Sequence, residues 1–322
     1  MTAAKIALLE DRGVVSVTGG DAHKFLQGLV TNDVDLWPWL KQPPVPPAMG
    51  GLIIPRGAYA ALLSPQGKIL FDFIVRRGDE QEPSGGFIVD VAASRVVELI
   101  QRLSMYRLRA DVKIVDESKR FSTYAVWGGD ESSFDDRHAI PDPRVPELGQ
   151  RLLLPTEPDN SSSVAALLVS SAHYHAHRIS LGIPEGGRDY AWGEVFPHEA
   201  NFDHLNGVSF TKGCYVGQEI VARMEHRATT RRRIIRVTAD APLPPKGTEI
   251  RAGDVAIGQM GSFVTGMGGG KPCLGLAMLR LDRVAEFAAQ GVPLTAGGVR
   301  LVPDQLDLVR LLPQSRSALE PK

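Results

Sequence analysis

Apolar and polar positions along the 322 residues change period several times, and each change marks an element. Alternation over residues 13–18 predicts a strand, and Asp21 then caps a helix whose Phe25, Leu26, Leu29 and Val30 recur at helical spacing. That helix stops at Thr31-Asn32-Asp33. Residues 59–76 read as a β-hairpin turning at Pro65-Gln66-Gly67. A strand over 86–91, an amphipathic helix over 92–105 and strands over 112–115 and 121–127 follow, a strand–helix–strand succession that predicts a small α+β domain. Pro38, Pro43, Pro44, Pro46 and Pro47 make 36–55 an extended connector, and the Asp, Pro and Ser of 130–163 read mostly as loops. Helices are expected over 162–181 and from 217 to 224. Beyond 234, short β-rich stretches at 234–237, 249–252, 255–260, 273–279 and 298–303 alternate with Gly and Pro, which fits a small barrel.

Composition narrows the class. At 43% hydrophobic and 23% charged residues the chain can bury a large core in two or three domains. A net charge of −1 provides no global field for nucleic acid or membrane, so any such contact needs a local patch. Two cysteines, Cys214 and Cys273, are too few for a disulfide framework and fit a reducing compartment. Residues 1–12 mix charges and lack the apolar run of a signal peptide, and no stretch approaches the roughly 20 residues of a membrane span. A soluble intracellular protein is expected.

The chemistry concentrates in Lys212-Gly213-Cys214-Tyr215-Val216-Gly217-Gln218-Glu219-Ile220-Val221-Ala222-Arg223. The spacing places Cys214 near the N-terminus of the following helix, where free N–H groups and the Lys212 ammonium would favour its thiolate, the form that attacks electrophiles or ligates soft metal. Gln218 lies one turn further on, and Glu219 and Arg223 form an i,i+4 pair that can simply tie the helix to itself. The competing reading of a lone cysteine, a small buried hydrophobe, explains neither the flanking glycines nor the lysine. Asp72 is a single charge in an apolar strand, costly unless partnered. Arg223, His226, Arg227, Arg231, Arg232, Arg233 and Arg236 form a positive run, either a solvated strand face or a binding stripe for an anionic tail, a phosphate backbone or an acidic partner. It lacks the interleaved aromatics of a single-strand nucleic-acid reader. His173 and His177 share a helix face without a third ligand, so no metal site is expected. G-M-G-G-G-K at 266–271 is not a phosphate loop, since Thr265 and Pro272 stand where Gly and Ser/Thr are needed.

K-G-C-[YF]-x-G-Q-E with a trailing A-R resembles the signature of the YgfZ-type folate-binding proteins, which assist iron–sulfur cluster assembly or repair and are similar in fold to the aminomethyltransferase (T-protein) of glycine cleavage. F-L-Q-G-L-V-T-N-D at 25–33, R-x-x-x-G-x-P at 178–184 and F-P-H-E-A-N-F at 196–202 extend the likeness. It implies an α+β, T-protein-like three-domain ring: residues 1–50 with 120–230, an inserted α+β domain at 51–119, and a C-terminal β-barrel at 231–322. It further implies tetrahydrofolate or a derivative as ligand, no permanently bound metal, and Cys214 with Lys212 as the functional pair. Folate would be lined by Asn32, Asp72, Arg178, Tyr215, Gly217, Gln218, Glu219 and Arg223. Implied partners are iron–sulfur client proteins or assembly factors, not membrane and not nucleic acid directly, and the implied location is cytoplasmic, or the mitochondrial matrix in a eukaryote. Two T-protein positions differ: Phe71 replaces the first aspartate of its D-D pair, and Ser180 stands where a glutamate grips the pterin. An accessory role without turnover is therefore preferred over the alternatives, a folate-dependent aminomethyltransferase or a tRNA-modification-related protein.

Overall fold

The computed structural model describes residues 4–34, 57–78, 86–129, 138–156, 168–227, 230–264 and 272–311. The proline-rich connector and the glycine-rich 266–271 tract lie outside them. The chain divides into two compact units: Met1–Pro65, Leu70–Tyr174 and His204–Val216 form one, and Gln66–Ile69, His175–Asp203 and Gly217–Lys322 the other.

In the first unit, β1 (Lys5–Leu8) and β2 (Arg12–Thr18) enter different sheets. With β3 (Gly57–Leu63), β4 (Ile69–Arg77), β5 (Phe87–Ala92) and β6 (Lys113–Asp116), β2 builds a five-stranded sheet ordered β3-β4-β5-β2-β6. One face carries Val15, Val17, Ala60, Leu62, Phe71, Phe73, Val89 and Val91, and the helices Ala22–Gln27 and Val96–Arg107 contribute Leu26, Leu99 and Leu103 to the same core. Alternation of period two on the strands and 3.6 on the helices supplies that shared face. The Val96–Arg107 helix begins later than its apolar pattern, because Ala93–Arg95 forms a tighter 3-10 turn first.

The second sheet orders β1, β7 (Phe121–Trp127), β9 (Gln150–Pro155) and β8 (Ala139–Pro141) as β1-β7-β9-β8. Strands β8 and β9 correct the reading of 130–163 as mostly loops: each is short and ends at a proline, and pairing decides their conformation, β9 with β7 and β8 with β9.

In the second unit, β10 (Arg232–Ala239), β11 (Glu249–Ala252), β12 (Val255–Val264), β13 (Cys273–Arg280), β14 (Leu294–Ala296) and β15 (Val299–Pro303) close a barrel in the order β10-β13-β12-β11-β14-β15. Closure leaves no open edge, and Ile235, Val237, Ile250, Ile257, Ala277 and Leu279 fill its core. Leu281–Ala289 and Gln305–Leu311 are helices that the strand-and-turn reading passed over. The turn 66–69 clusters here too: Gly67 has φ +79°, and a Cβ on it would lie 2.9 Å from Cβ of Ile220, so the approach of the two backbones requires glycine.

Candidate functional site

The first helix ends at Gln27, short of the predicted stop at Thr31-Asn32-Asp33, and the stretch that follows it, strand β3 and the loop leading to Cys214 are joined through main-chain groups. The Thr31 hydroxyl donates to the Gly207 carbonyl (2.7 Å) and accepts from the Ala61 N–H (2.8 Å), and the Ser209 N–H donates to the Thr31 carbonyl (3.0 Å). Asn32, buried, donates through Nδ2 to the carbonyls of Tyr59 (2.8 Å) and Asn206 (2.6 Å), while Oδ1 accepts from the Asp33 N–H (2.8 Å).

Lys212 sits on this frame. Only 7% exposed, it donates through Nζ to the carbonyls of Val30 (2.8 Å) and Asn32 (2.7 Å), and its ammonium lies 5.4 Å from the centre of the Tyr215 ring. The Tyr215 hydroxyl is pushed up to about 12 by burial and stays protonated at neutral pH. Between these two buried side chains Cys214 is exposed. Asp72, buried on β4, accepts from the Tyr59 hydroxyl at 3.3 Å. The Arg144 guanidinium lies 5.6 Å from the centre of the Tyr59 ring and also binds Asp142 (2.6 Å) and the Tyr174 hydroxyl (2.8 Å); Arg151 donates to that hydroxyl at 2.6 Å. Asp142, Arg144, Arg151 and Tyr174 thus form a buried polar network that no spacing in the sequence announced.

Two expectations are corrected here. The helix begins at Gln218, after Gly217 in a left-handed conformation (φ 81°), so Cys214 lies in irregular backbone four residues earlier and not on the first turn. Lys212 is an internal clamp on two carbonyls, which accounts for a lysine at this position without reference to the sulfur.

The remaining predicted residues belong to the second unit, Arg178 in its His175–Asp203 piece and the others in the piece that starts at Gly217. Arg178 is fully buried and donates to Asp189 (2.8 Å), the Ile183 carbonyl (2.9 Å), Ser262 (3.0 Å) and His175 (3.1 Å). Ser180 is exposed and gives its hydroxyl to the His177 carbonyl (2.7 Å). Gln218 opens the helix Gln218–Arg227, while Glu219 and Arg223 pair with each other at 2.6 Å on its exposed side. Asn32, Asp72, Lys212, Cys214 and Tyr215 lie in the first unit; Arg178, Gly217, Gln218, Glu219 and Arg223 lie in the second.

The positive run resolves into clamps. Arg233 binds Asp203 through two hydrogen bonds of 2.7 Å and the His198 carbonyl at 2.8 Å, Arg232 binds Glu199 at 2.7 Å, and Arg236 binds Asp307 (2.9 Å) and Asp304 (3.1 Å). The carboxylates come from elements distant in sequence, so the pattern of arginines alone could not reveal them. His198, Asp203 and Glu225 bring their ligand atoms within 4.8 Å of one another. Arg233 already holds Asp203 there in an ion pair, and His198 Nε2 lies at hydrogen-bond distance, 3.2 Å, from Glu225.

Residues 231–310 match the family described as CAF17, C-terminal beta-barrel domain. The chain is 34% identical over 287 residues to the human iron-sulfur cluster assembly factor IBA57, mitochondrial, spanning 86% of this chain and 77% of that one. It is 32% identical over 317 residues to the mitochondrial IBA57 homolog of Mycosarcoma maydis, spanning 88% and 75%. These relatives carry the IBA57 name where the motif alone resembled the related YgfZ-type proteins. Among solved structures, the glycine cleavage aminomethyltransferase T of Bartonella henselae superposes with a TM-score of 0.67 and 14% identity over 96% of this chain and 87% of that one. At that identity the likeness shows the fold alone: mixed α and β with a six-stranded C-terminal barrel, as the motif implied.

Proposed function

Since the chain belongs to the family of IBA57 iron–sulfur cluster assembly factors, we propose that it supports assembly or repair of clusters in client enzymes, with Cys214 as its functional thiol and a reduced folate as its ligand. The observation that carries the thiol is its mounting. Cys214 is exposed while Lys212 and Tyr215 on either side are buried and fastened, so the sulfur is presented to solvent from a fixed backbone. A cysteine kept for packing would be turned inward; an accessible one can meet a partner's soft metal or an electrophile.

The folate reading rests on the donor set of the first unit. Asp72 offers a buried carboxylate that can accept from a pterin N–H edge, and Tyr215 adds a protonated phenol, while Asn32, both of its amide N–H groups already given to carbonyls, holds the surrounding main chain. Bound tetrahydrofolate would supply a carrier for one-carbon units. Ser180, its hydroxyl already given to a carbonyl, does not replace a pterin-gripping glutamate, so affinity would have to come from the other residues. Aminomethyl transfer is disfavoured: Phe71, where the T-protein has its first aspartate, is a core residue with the Arg95 guanidinium 4.8 Å over its ring. A direct role in tRNA modification gains no support from arginines bound to carboxylates of their own chain. The expected partners are assembly factors or client proteins, in the mitochondrial matrix if the source is eukaryotic. Among the described residues no helix is long and apolar enough to cross a membrane.

The test is Cys214→Ser in cells lacking the protein. The variant should fold, bind tetrahydrofolate in a calorimetric titration and fail to restore iron–sulfur enzyme activities, because a hydroxyl stays protonated and is a poor ligand for soft metal. Full restoration by the serine variant would remove the thiol from the mechanism. A titration without heat up to about 1 mM tetrahydrofolate would remove the folate.

A further inference from the structure

Within the second unit, the turn at Phe196, the helix Gln218–Arg227 and the start of β10 enclose an open groove of about 500 Å³. Its apolar floor is Phe196, Ile220 and Met224, each partly exposed. The Lys68 ammonium sits 3.2 Å from the centre of the Phe196 ring, and burial, opposed by the nearby Glu199 carboxylate, lowers its pKa. Three guanidinium groups form the rim, and two are already matched: Arg232 to Glu199 at 2.7 Å and Arg280 to Asp282 at 2.8 Å. Arg231 is exposed, and its side chain makes no hydrogen bond or ion pair with any described residue; its main-chain carbonyl accepts from the Leu281 N–H at 2.8 Å, and its charge acts on the Asp282 carboxylate, helping to lower that group's pKa. The groove therefore offers an apolar floor and, beside it, one guanidinium that no hydrogen bond or ion pair with a described residue occupies, its charge shared with Arg280 over the single Asp282 carboxylate.

We propose that this groove docks an acidic peptide segment of a partner protein, one bulky apolar side chain entering the floor and an adjacent carboxylate meeting Arg231. The size suits one or two side chains, and an unbranched thioether such as Met224 adapts to more than one shape. A polyphosphate or nucleic-acid backbone fits less well: it needs several converging unpaired cations, and here Arg232 and Arg280 would first have to give up their carboxylates. The inference rests on the reading of this chain as a factor that acts on other proteins, and supplies the docking surface such a factor requires.

The experiment uses the whole chain and fluorescence anisotropy of a fluorescein-labelled decapeptide carrying Leu-Phe flanked by Asp and Glu, with an Asn/Gln version of the peptide as control. The acidic peptide should bind, and the amide version should bind at least about tenfold more weakly. Arg231→Glu and Met224→Asp should each weaken the acidic peptide by about tenfold or more, whereas Arg300→Glu, the same charge change at an exposed barrel position, should alter it less than about twofold. No binding at about 1 mM, equal binding of the two peptides, or equal weakening by Arg300→Glu would overturn the proposal. So would displacement of the peptide by tripolyphosphate at matching concentrations, which would make the groove a phosphate site. The assay contains neither folate nor a cluster, so its failure leaves the folate and thiol reading standing, and failure of that reading leaves the peptide result intact.

Discussion

The cysteine loop and the first barrel strand each carry cations beside candidate chemistry, and they place them differently. In the loop, one ammonium is drawn inside and spends two hydrogen bonds on the carbonyls of Val30 and Asn32, so the loop is fixed and the neighbouring thiol is left outside. On the strand, planar guanidinium groups are matched two-pronged or laterally to carboxylates, and the excess is a single arginine at the strand's start. Lysine suits the first task because its point charge can serve converging carbonyls; arginine suits the second because its fork matches a carboxylate. A basic residue near a reactive group is thus poor evidence of electrostatic activation until its partners are known.

The comparison can be broken most forcefully at Arg233. Removing one member of a buried pair leaves the other charge uncompensated, so Arg233→Met should cost about 3–5 kcal/mol in urea unfolding. Arg233→Met with Asp203→Leu should recover most of that loss. A single variant as stable as the parent would mean that the clamp is not part of the barrel's stability.

Lys212→Met is the corresponding cut in the loop. The carbonyls of Val30 and Asn32 would lose a buried donor, at about 1–3 kcal/mol each and so about 2–6 kcal/mol if both stayed dry; with water reaching them a loss of about 2–4 kcal/mol is expected, below that at Arg233. The carbonyls can partly recover by admitting water, which the carboxylate at Arg233 cannot match. Unchanged stability with slower alkylation of Cys214 by iodoacetamide would restore the electrostatic role for the lysine that the sequence pattern implied.

Acid sharpens the contrast inside the first unit. Burial pushes the Asp142 carboxyl up, but the Arg144 charge and hydrogen bonds, helped by Arg151, outweigh it and bring it from 3.8 to about 2. A carboxyl depressed on folding contributes stability that is fully present above its unfolded value and is lost as pH falls through its folded value. The window is therefore pH 4 to 2, and about 2 kcal/mol should disappear across it. Asp142→Asn should flatten that limb of the stability profile; an unchanged limb would show that other carboxylates carry it.

How much was visible beforehand follows from where the information lies. The hairpin at 59–76, the helix after Gly217 and most barrel strands were legible because local period and turn residues define them. Strands β8 and β9 were not, since runs of three and six residues, each ending at a proline, acquire their conformation from partners. The helix Leu281–Ala289 carries Leu281 and Val284 one turn apart, a signal overlooked where strands were expected. In the site, the clustering of Asn32, Lys212 and Tyr215 agreed with their motifs, but Tyr59 and Arg144 come from segments without a motif. What failed was inference of partners: the lysine's carbonyls lie 182 and 180 residues away in sequence.

The smallest expected effect lies at the end of the cysteine motif. Glu219 and Arg223 face solvent and hold each other at 2.6 Å, Glu before Arg in the favourable order for a helix. An exposed pair of this kind contributes about 0.3–0.5 kcal/mol and is screened by salt. Arg223→Ala should therefore change unfolding by no more than about 0.5 kcal/mol at low salt and by less in about 1 M salt, where the Debye length falls to roughly 3 Å. Stability alone then gives no reason for the pair to belong to the motif, and a second readout decides its role. If tetrahydrofolate affinity in Arg223→Ala is the same as in the parent, the pair merely ties the helix to itself. A tenfold loss of affinity in a variant so close to the parent in stability would make Arg223 a ligand-binding residue.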